Sequence, residues 1–244
     1  MIRISIEQGI QTLQIFRPEK KNALTLSMYE LLADALELAN DDINIKSNLI
    51  LGVPGAFSAG NDLTDFLNEA SRPDFGDPIF RFLKALVNSR KPVVAGVDGL
   101  AIGIGTTMLF HCDYVVAGSE CLFKTPFVDL GLVPEAASSL IAPALMGHAR
   151  AFALLCLGEN FNSQKMYDVG LVNQIVDADE VEERAMKIAL QLASKPSGAL
   201  LKSRELLRGD RSVILQRIDE EAAIFLERLQ SPEAKSALSA FLKK

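Results

Sequence analysis

The sequence contains no tryptophan, only two histidines and only three cysteines among its 244 residues. Neither His111 nor His148 has a second ligand at metal-binding spacing, so we expect core packing or surface exposure for both. The cysteines, Cys112, Cys121 and Cys156, are odd in number and lie in apolar stretches, which favours reduced thiols over a disulfide framework. These scarcities predict a cytoplasmic protein without a metal centre.

The sequence also lacks long apolar runs and an excess of basic residues. No stretch approaches the roughly 20 apolar residues of a membrane-spanning helix. Residues 1–7 alternate like a strand and lack the apolar segment of a signal peptide, and the last residues carry no peroxisomal or endoplasmic-reticulum address. A formal net charge of −6 argues against nucleic acids and anionic membranes as partners, because both are bound by basic faces.

Within an ordinary globular composition, strand and helix patterns alternate along the chain. Hydrophobic residues make up 49% and charged residues 23%, and the length suits one large domain or one domain with a helical appendage. Residues 2–6 and 10–14 flank Gln8-Gly9 and predict a hairpin. Helices alternate with further buried strands, which are predicted at 48–53, 91–97, 113–117 and 171–176. This alternation predicts an α/β fold.

Two local patterns mark the ends of elements in the first third of the chain. Ser27 and Glu30 have capping-box spacing and predict the start of a helix. Residues 68–78 are polar and contain prolines and a glycine, which predicts a mobile surface loop.

The last quarter of the chain shows only helical periodicity, with three interruptions at Pro196, Gly209 and Pro232. We therefore divide the chain into an α/β core over residues 1–178, which carries the site, and a helical region over residues 179–244. The helical region is long enough to pack on a neighbouring copy or to cover the site.

Two glycine-bearing loops, each entering an apolar helix, are the most informative local feature. They cover residues 57–63 and 99–105. A helix start leaves main-chain N–H groups without intrahelical partners and carries partial positive charge. Two such starts directed at one point hold a negative oxygen. With one carboxyl group, Glu135, downstream, the pattern predicts proton transfer next to a carbonyl group.

These loops belong to a set of segments that resembles the enoyl-CoA hydratase/isomerase (crotonase) superfamily. The matching segments, in the expected order and spacing, are 17–24, 57–63, 91–105, 112–113, 123–135 and 170–172. The resemblance implies a crotonase-like spiral of ββα units with a C-terminal helical region. It also implies binding of acyl-CoA thioesters and assembly as a homotrimer or a dimer of trimers. No separate cofactor is expected, since coenzyme A is part of the substrate.

The resemblance also assigns the catalytic groups. It implies that the main-chain N–H groups of Asn61 and Ile104 form an oxyanion hole. The two positions at which hydratases of this family carry glutamates hold Thr107 and Phe127 here, so hydration by that pair is not expected. The segments 60–64 and 125–139 resemble the 3-enoyl-CoA to 2-enoyl-CoA isomerase branch, in which the glutamate at the position of Glu135 is the single acid and base.

Several readings of the carboxyl groups remain open at this stage. Glu135 could instead stabilise the first turn of a helix after Pro134. Apolar neighbours would raise its pKa, whereas the dipole of a helix beginning there would lower it. Asp129 is the second candidate base, and Asp62 is the expected cap of the helix that follows Asn61.

The remaining binding residues follow from the same resemblance. Lys20 and Lys21 match a strip that lies along coenzyme A and could contact its phosphates, although an exposed basic turn is an equal alternative. Phe127 is expected to make the site drier, and Phe241 and Lys243 could reach a nucleotide. The groove and the substrate are also expected to contact Ala23, Ala59, Asp62, Leu63 and Gly103.

Two other functions compete with the isomerase. One is a different reaction on the same scaffold, such as hydration in the manner of an enoyl-CoA hydratase. The other is a non-catalytic homologue that only binds acyl-CoA.

Overall fold

The computed structural model describes residues 1–65 and 76–241. It begins with two antiparallel strands, β1 (Ile2–Glu7) and β2 (Ile10–Ile15). Gln8 and Gly9 between them have φ values of 51° and 80°, as a two-residue turn between twisted strands requires. The predicted hairpin is therefore confirmed.

The other strands fall into two sheets, which alternate along the chain from β3 to β8. They are β3 (Ser47–Leu51), β4 (Ala56–Ser58), β5 (Val93–Val97), β6 (Leu100–Ile102), β7 (Tyr114–Gly118), β8 (Leu122–Lys124), β9 (Phe161–Asn162) and β10 (Gln174–Val176). In the described residues one sheet has the order β1-β2-β3-β5-β7-β10 and the other β4-β6-β8-β9. In the first sheet, the neighbouring strands β2, β3, β5, β7 and β10 run parallel to one another. In the second sheet, β4, β6 and β8 are parallel.

Helices follow successive strand pairs and then fill the C-terminal region. The described helices are α1 (Leu26–Asp41), α2 (Asp77–Asn88), α3 (Ile104–Thr107), α4 (Ser138–Met146), α5 (His148–Leu155), α6 (Ser163–Asp168), α7 (Val181–Ala193), α8 (Ser197–Arg208), α9 (Arg211–Leu229) and α10 (Pro232–Phe241). The repetition of strand, strand and helix confirms the predicted α/β class. Of the predicted interruptions, Pro196 and Gly209 flank α8, and Pro232 is the first residue of α10.

Two local predictions are corrected. The cap of α1 is Thr25, whose hydroxyl accepts a hydrogen bond from Met28 N, so the helix begins before the predicted Ser27. Of the predicted loop at 68–78, residues 68–75 lie outside the described residues. Asp77 and Pro78 lie in the first turn of α2. Main-chain N–H groups in a first turn have no intrahelical acceptor, so a proline there costs no hydrogen bond.

The helical region begins directly against the first sheet. On α7, Ala185 and Ala189 are buried in a small apolar cluster with Leu49, Val94 and Val116 from β3, β5 and β7. Alanines suit this position because they let a helix approach a sheet closely. The division of the chain near residue 178 stays a prediction.

Three further observations concern the thiols, metal binding and membrane-spanning helices. Cys112, Cys121 and Cys156 are free thiols. The described residues contain no group of three or more His, Cys, Asp or Glu side chains placed to hold a metal ion. None of the described helices combines the length and the apolar character needed to cross a membrane.

Candidate active site

The two glycine loops meet at one edge of the second sheet. The first loop begins within β4 and the second contains β6, and these strands are parallel neighbours. A Cβ atom at Gly60, whose φ is 90°, would lie 2.9 Å from Ile102 O, and one at Gly105 would lie 2.8 Å from Ser58 O. Glycine at both positions therefore lets the loops pack against each other.

Two main-chain N–H groups at this junction are available for a ligand. Ile104 is the first residue of α3, with Gly103 at its N-cap, so its N–H has no intrahelical acceptor. On either side of Asn61, Leu24 N donates to Gly60 O and Asp62 N donates to Leu24 O. Neither Asn61 N nor Ile104 N donates a hydrogen bond to another described residue.

Both residues line a cleft of about 290 Å³. Most of the residues predicted to contact substrate also line it: Lys20, Ala23, Ala59, Asp62, Leu63, Gly103 and Phe127. Phe241 from α10 lines it as well, whereas Lys243 lies outside the described residues. Lys21 does not line the cleft; its side chain is exposed and its carbonyl oxygen accepts a hydrogen bond from Ala59 N at 2.9 Å.

Asp62 is a structural carboxylate in the cleft wall. Its Oδ1 accepts hydrogen bonds from Thr64 N and Asp65 N at 2.9 and 3.1 Å, which confirms the predicted helix cap. Its Oδ2 lies 2.6 Å from Arg17 Nη1. Burial opposes ionisation, but the hydrogen bonds from Arg17 and the main chain lower the pKa of Asp62. A carboxylate so fully engaged is a poor base.

Glu135 lies between the 3₁₀ turn Val128–Leu130 and α4, in a buried irregular segment. The residue is only 6% exposed. Its Oε1 accepts a hydrogen bond from the Thr107 hydroxyl, while Oε2 is buried without a partner among the described residues. One oxygen is held in place, and the other is free to accept a proton.

The environment of Glu135 settles the balance that the sequence left open. Burial raises its pKa to about 8, the hydrogen bond from Thr107 opposes this change, and the charge of Glu221 adds to it. Helix α4 begins only at Ser138, so Glu135 is not in its first turn. Desolvation therefore outweighs any effect of the helix dipole.

Glu135 is connected to the cleft through shared residues. It lines a small adjoining pocket with Asn61 and Phe225, and both of these also line the cleft. Among the described residues, Gly76, Ile79, Phe80 and Leu226 also line this pocket. Asp129, the second candidate base, is exposed and lies outside both walls. The described geometry thus favours Glu135 as the base.

Tyr29 is a site residue that the sequence analysis missed. Its hydroxyl donates a hydrogen bond of 2.5 Å to Asn61 Oδ1. The ring is fully buried and packs against Phe82 with ring centroids 5.5 Å apart. Burial raises the pKa of Tyr29, and the nearby charge of Glu135 adds to the effect. A tyrosine on an otherwise aliphatic helix face was the available signal.

Helix α9 supplies the other missed residues. Glu221 and Phe225 are four residues apart, which places them on one helix face. Phe225 lines the pocket and the cleft, and Glu221 contacts the chain just after Glu135.

His111, expected to be a core or surface residue, is buried at 3% exposure and contacts the same segment through Ala136 O.

The chain is similar to known proteins along nearly its whole length. A sequence model described as enoyl-CoA hydratase/isomerase matches residues 5–244. The chain is 30% identical to the 1,2-epoxyphenylacetyl-CoA isomerase of Escherichia coli strain K12, covering 98% of this chain and 94% of that protein. It is 32% identical to enoyl-CoA delta isomerase 2 of Rattus norvegicus over 99% of this chain, but spans only 63% of the rat protein.

A solved structure is also similar over its whole length. The structure of OdaA from Pseudomonas aeruginosa superposes with a TM-score of 0.95 at 43% identity, covering 100% of this chain and 99% of that one. The described strands and helices therefore follow an arrangement that has been observed experimentally in a related chain.

Proposed function

Because the chain belongs to the enoyl-CoA hydratase/isomerase family, whose members act on acyl-CoA thioesters, we propose that it moves the double bond of a 3-enoyl-CoA to the trans-2 position. The observation that carries this proposal is the buried carboxyl group of Glu135, which lies beside the cleft with one oxygen free. The other carboxyl group in the described cleft wall, Asp62, is already engaged by Arg17 and by main-chain N–H groups.

The thioester carbonyl oxygen accepts hydrogen bonds from Asn61 N and Ile104 N in this proposal. Both N–H groups lack an acceptor among the described residues, and Ile104 begins a helix. Negative charge that develops on the oxygen is stabilised there by fixed donors. Each donor of this kind contributes roughly 3 kcal/mol in well-studied acyl-transfer sites.

Glu135 then carries one proton between two carbons. Its carboxylate removes a proton from C2, and the electron pair of the broken C–H bond moves into a dienolate with its charge on the thioester oxygen. The protonated Glu135 returns the same proton at C4, and the double bond moves from C3–C4 to C2–C3. Atoms and charge balance without water or a cofactor, so one carboxyl group suffices.

Two residues argue against hydration as the main reaction. Thr107 and Phe127 stand where hydratases carry glutamates, and neither side chain can take a proton from water. Thr107 donates its hydroxyl hydrogen to Glu135, and Phe127 lines the cleft with an apolar ring. Hydration and simple acyl-CoA binding are the two outcomes against which the proposal must be tested.

A panel of thioesters separates these functions. The protein is incubated with a 3-enoyl-CoA and, separately, with the matching trans-2-enoyl-CoA, and products are identified by liquid chromatography and mass spectrometry. We expect conversion of the 3-enoyl to the trans-2-enoyl thioester without accumulation of the 3-hydroxyacyl product. Faster hydration than isomerisation, or binding without conversion of either thioester, would contradict the proposal.

We further propose that Lys20 contacts a coenzyme A phosphate and that the protein assembles as a trimer or a dimer of trimers. Lys20 supplies an exposed ammonium group at the cleft. Leu206, Leu207 and Val213 expose apolar side chains on α8 and α9, which supports an interface between copies. Sedimentation equilibrium tests the assembly by measuring the mass of the protein in solution. The phosphate contact is tested by measuring the acyl-CoA affinity of the wild type and of Lys20→Ala at low and high salt. We expect the variant to bind more weakly, with the larger difference at low salt.

A further inference from the structure

Two consecutive alanines after Glu135 adopt a backbone conformation that L residues avoid. Ala136 and Ala137 have φ values of 61° and 54°. Both lie in the left-handed region, which is unfavourable in free energy for every residue that has a Cβ atom. They form the turn between Glu135 and α4. The direction in which Glu135 leaves the main chain therefore depends on a turn that other groups must hold.

The contacts that hold this turn come from distant parts of the chain. Glu221 on α9 accepts hydrogen bonds from Ala137 N at 2.6 Å through Oε2 and from Ser139 N at 3.0 Å through Oε1. On the other side, His111 Nε2 lies 2.8 Å from Ala136 O. Burial lowers the pKa of His111 to about 4, so its ring is neutral and donates to this carbonyl oxygen.

We propose that Glu221 is a positioning residue for Glu135, acting through the Ala136–Ala137 turn that its carboxylate holds. The proposal rests on the function proposed above for Glu135. An ordinary helix cap is a neutral or acidic side chain at the N-cap position itself, which in α4 is Ala137 and carries no acceptor. Here the acceptor is a carboxylate only 6% exposed, 84 residues further along the chain.

Charge distinguishes Glu221 from a neutral cap. Among the described residues, the groups that face it are Ala137 N, Ser139 N, the carboxyl group of Glu135, and Arg217, whose Nη1 donates to Ser139 Oγ. Burial raises the pKa of Glu221, while the hydrogen bonds from Ser139 and Ala137 and the charge of Arg217 oppose this change. Glu135 is faced by Thr107 and Tyr29 and by the charge of Glu221, which raises the pKa of Glu135. Glutamine in place of Glu221 offers one acceptor oxygen instead of two, so it would hold the turn less firmly, and it would also remove the charge that makes Glu135 more basic.

The same helix connects the base to the bound substrate. Phe225 lies one turn after Glu221 on α9 and lines both the cleft and the pocket of Glu135. The helix that lines the cleft is thus also the helix that holds the turn after Glu135. Glu221 fixes these two parts of the site relative to each other.

The test compares Glu221→Gln with Glu227→Gln, which makes the same charge change at an exposed position of α9. We expect Glu221→Gln to lower kcat about 10- to 100-fold, to leave KM within about twofold, and to move the acidic limb of the pH–rate profile to lower pH. Glu227→Gln should match the wild type. Unchanged kcat and an unchanged profile in Glu221→Gln would overturn the proposal.

A substrate-free measurement keeps this test independent of the proposed function. The carboxyl carbon of Glu135 is titrated by ¹³C NMR in the free wild type and in Glu221→Gln, and the pKa should be lower in the variant. An identical pKa would overturn the coupling even if the isomerase assignment holds. A lowered pKa would support it even if no 3-enoyl-CoA is converted.

A second variant separates positioning from simple relief of strain. Ala137→Gly suits the positive φ without cost, so it is combined with Glu221→Gln. We expect kcat of the double variant to stay low, because glycine does not restore the direction of Glu135. Recovery of the wild-type kcat would assign Glu221 to backbone stability alone and would overturn the proposal.

Discussion

The hydroxyl of Thr107 donates a hydrogen bond to Oε1 of Glu135 inside a buried pocket, and Oε2 of the same carboxyl group has no partner among the described residues. The two oxygens of one carboxyl group are therefore distinct. One is held by α3, the helix whose first N–H faces the cleft, and the other is free for a proton. This arrangement links the proposed base to the proposed oxyanion hole through four residues of one helix, Ile104–Thr107.

Thr107→Val removes this hydrogen bond at almost constant volume. Because the bond favours the ionised form, its loss should raise the pKa of Glu135 above about 8. The acidic limb of kcat/KM against pH should move to higher pH, and activity at pH 7 should fall about 3- to 10-fold. Thr107→Ser keeps the hydroxyl and should retain the wild-type profile. A profile that does not move in Thr107→Val would remove this contact from the control of Glu135.

Ile104→Pro removes a single main-chain N–H from the proposed oxyanion hole. Proline is tolerated at the first position of a helix, which is where Ile104 lies. We expect kcat to fall about 10²- to 10³-fold while the protein still folds. Ile104→Ala serves as the control because it shortens the buried side chain and keeps the N–H. If both variants lose the same activity, the side chain rather than the amide matters.

The raised pKa of Glu135 predicts a specific dependence of stability on pH. The folded protein holds this proton more tightly than the unfolded chain, whose Glu ionises near 4.5, so ionisation destabilises the fold as pH rises from 4.5 towards 8. Glu135→Gln removes the ionisation. Urea unfolding should show the variant gaining roughly 3–5 kcal/mol over the wild type between pH 4.5 and pH 8. A constant difference across this range would mean that the pKa is ordinary.

Features encoded within a few residues could be predicted from the sequence. The hairpin turn at Gln8-Gly9, the glycine loops and the breaks in the C-terminal helices follow from local backbone chemistry. The α1 cap shows the limit of this approach, because Thr25 and Ser27 are both acceptable caps by residue type and the structure uses Thr25.

Features that depend on distant packing could not be predicted. From the sequence alone, Glu221 would be predicted to lie on the surface of a helix. Only the packing of α9 against Ala137, 84 residues earlier, gives it a buried role. Tyr29 reaches Asn61 across 32 residues. The pKa of Glu135 depends on the burial that these contacts produce, which is why the sequence alone left burial and the helix dipole in balance.

The most direct test of the account is the rate at which Glu135→Gln isomerises a 3-enoyl-CoA, measured beside Asp129→Asn, which neutralises an exposed carboxyl group outside the site. The account predicts a loss of about 10²- to 10⁴-fold in kcat for Glu135→Gln, with acyl-CoA affinity retained, and wild-type kcat for Asp129→Asn. A Glu135→Gln protein that isomerises the thioester at the wild-type rate would contradict it.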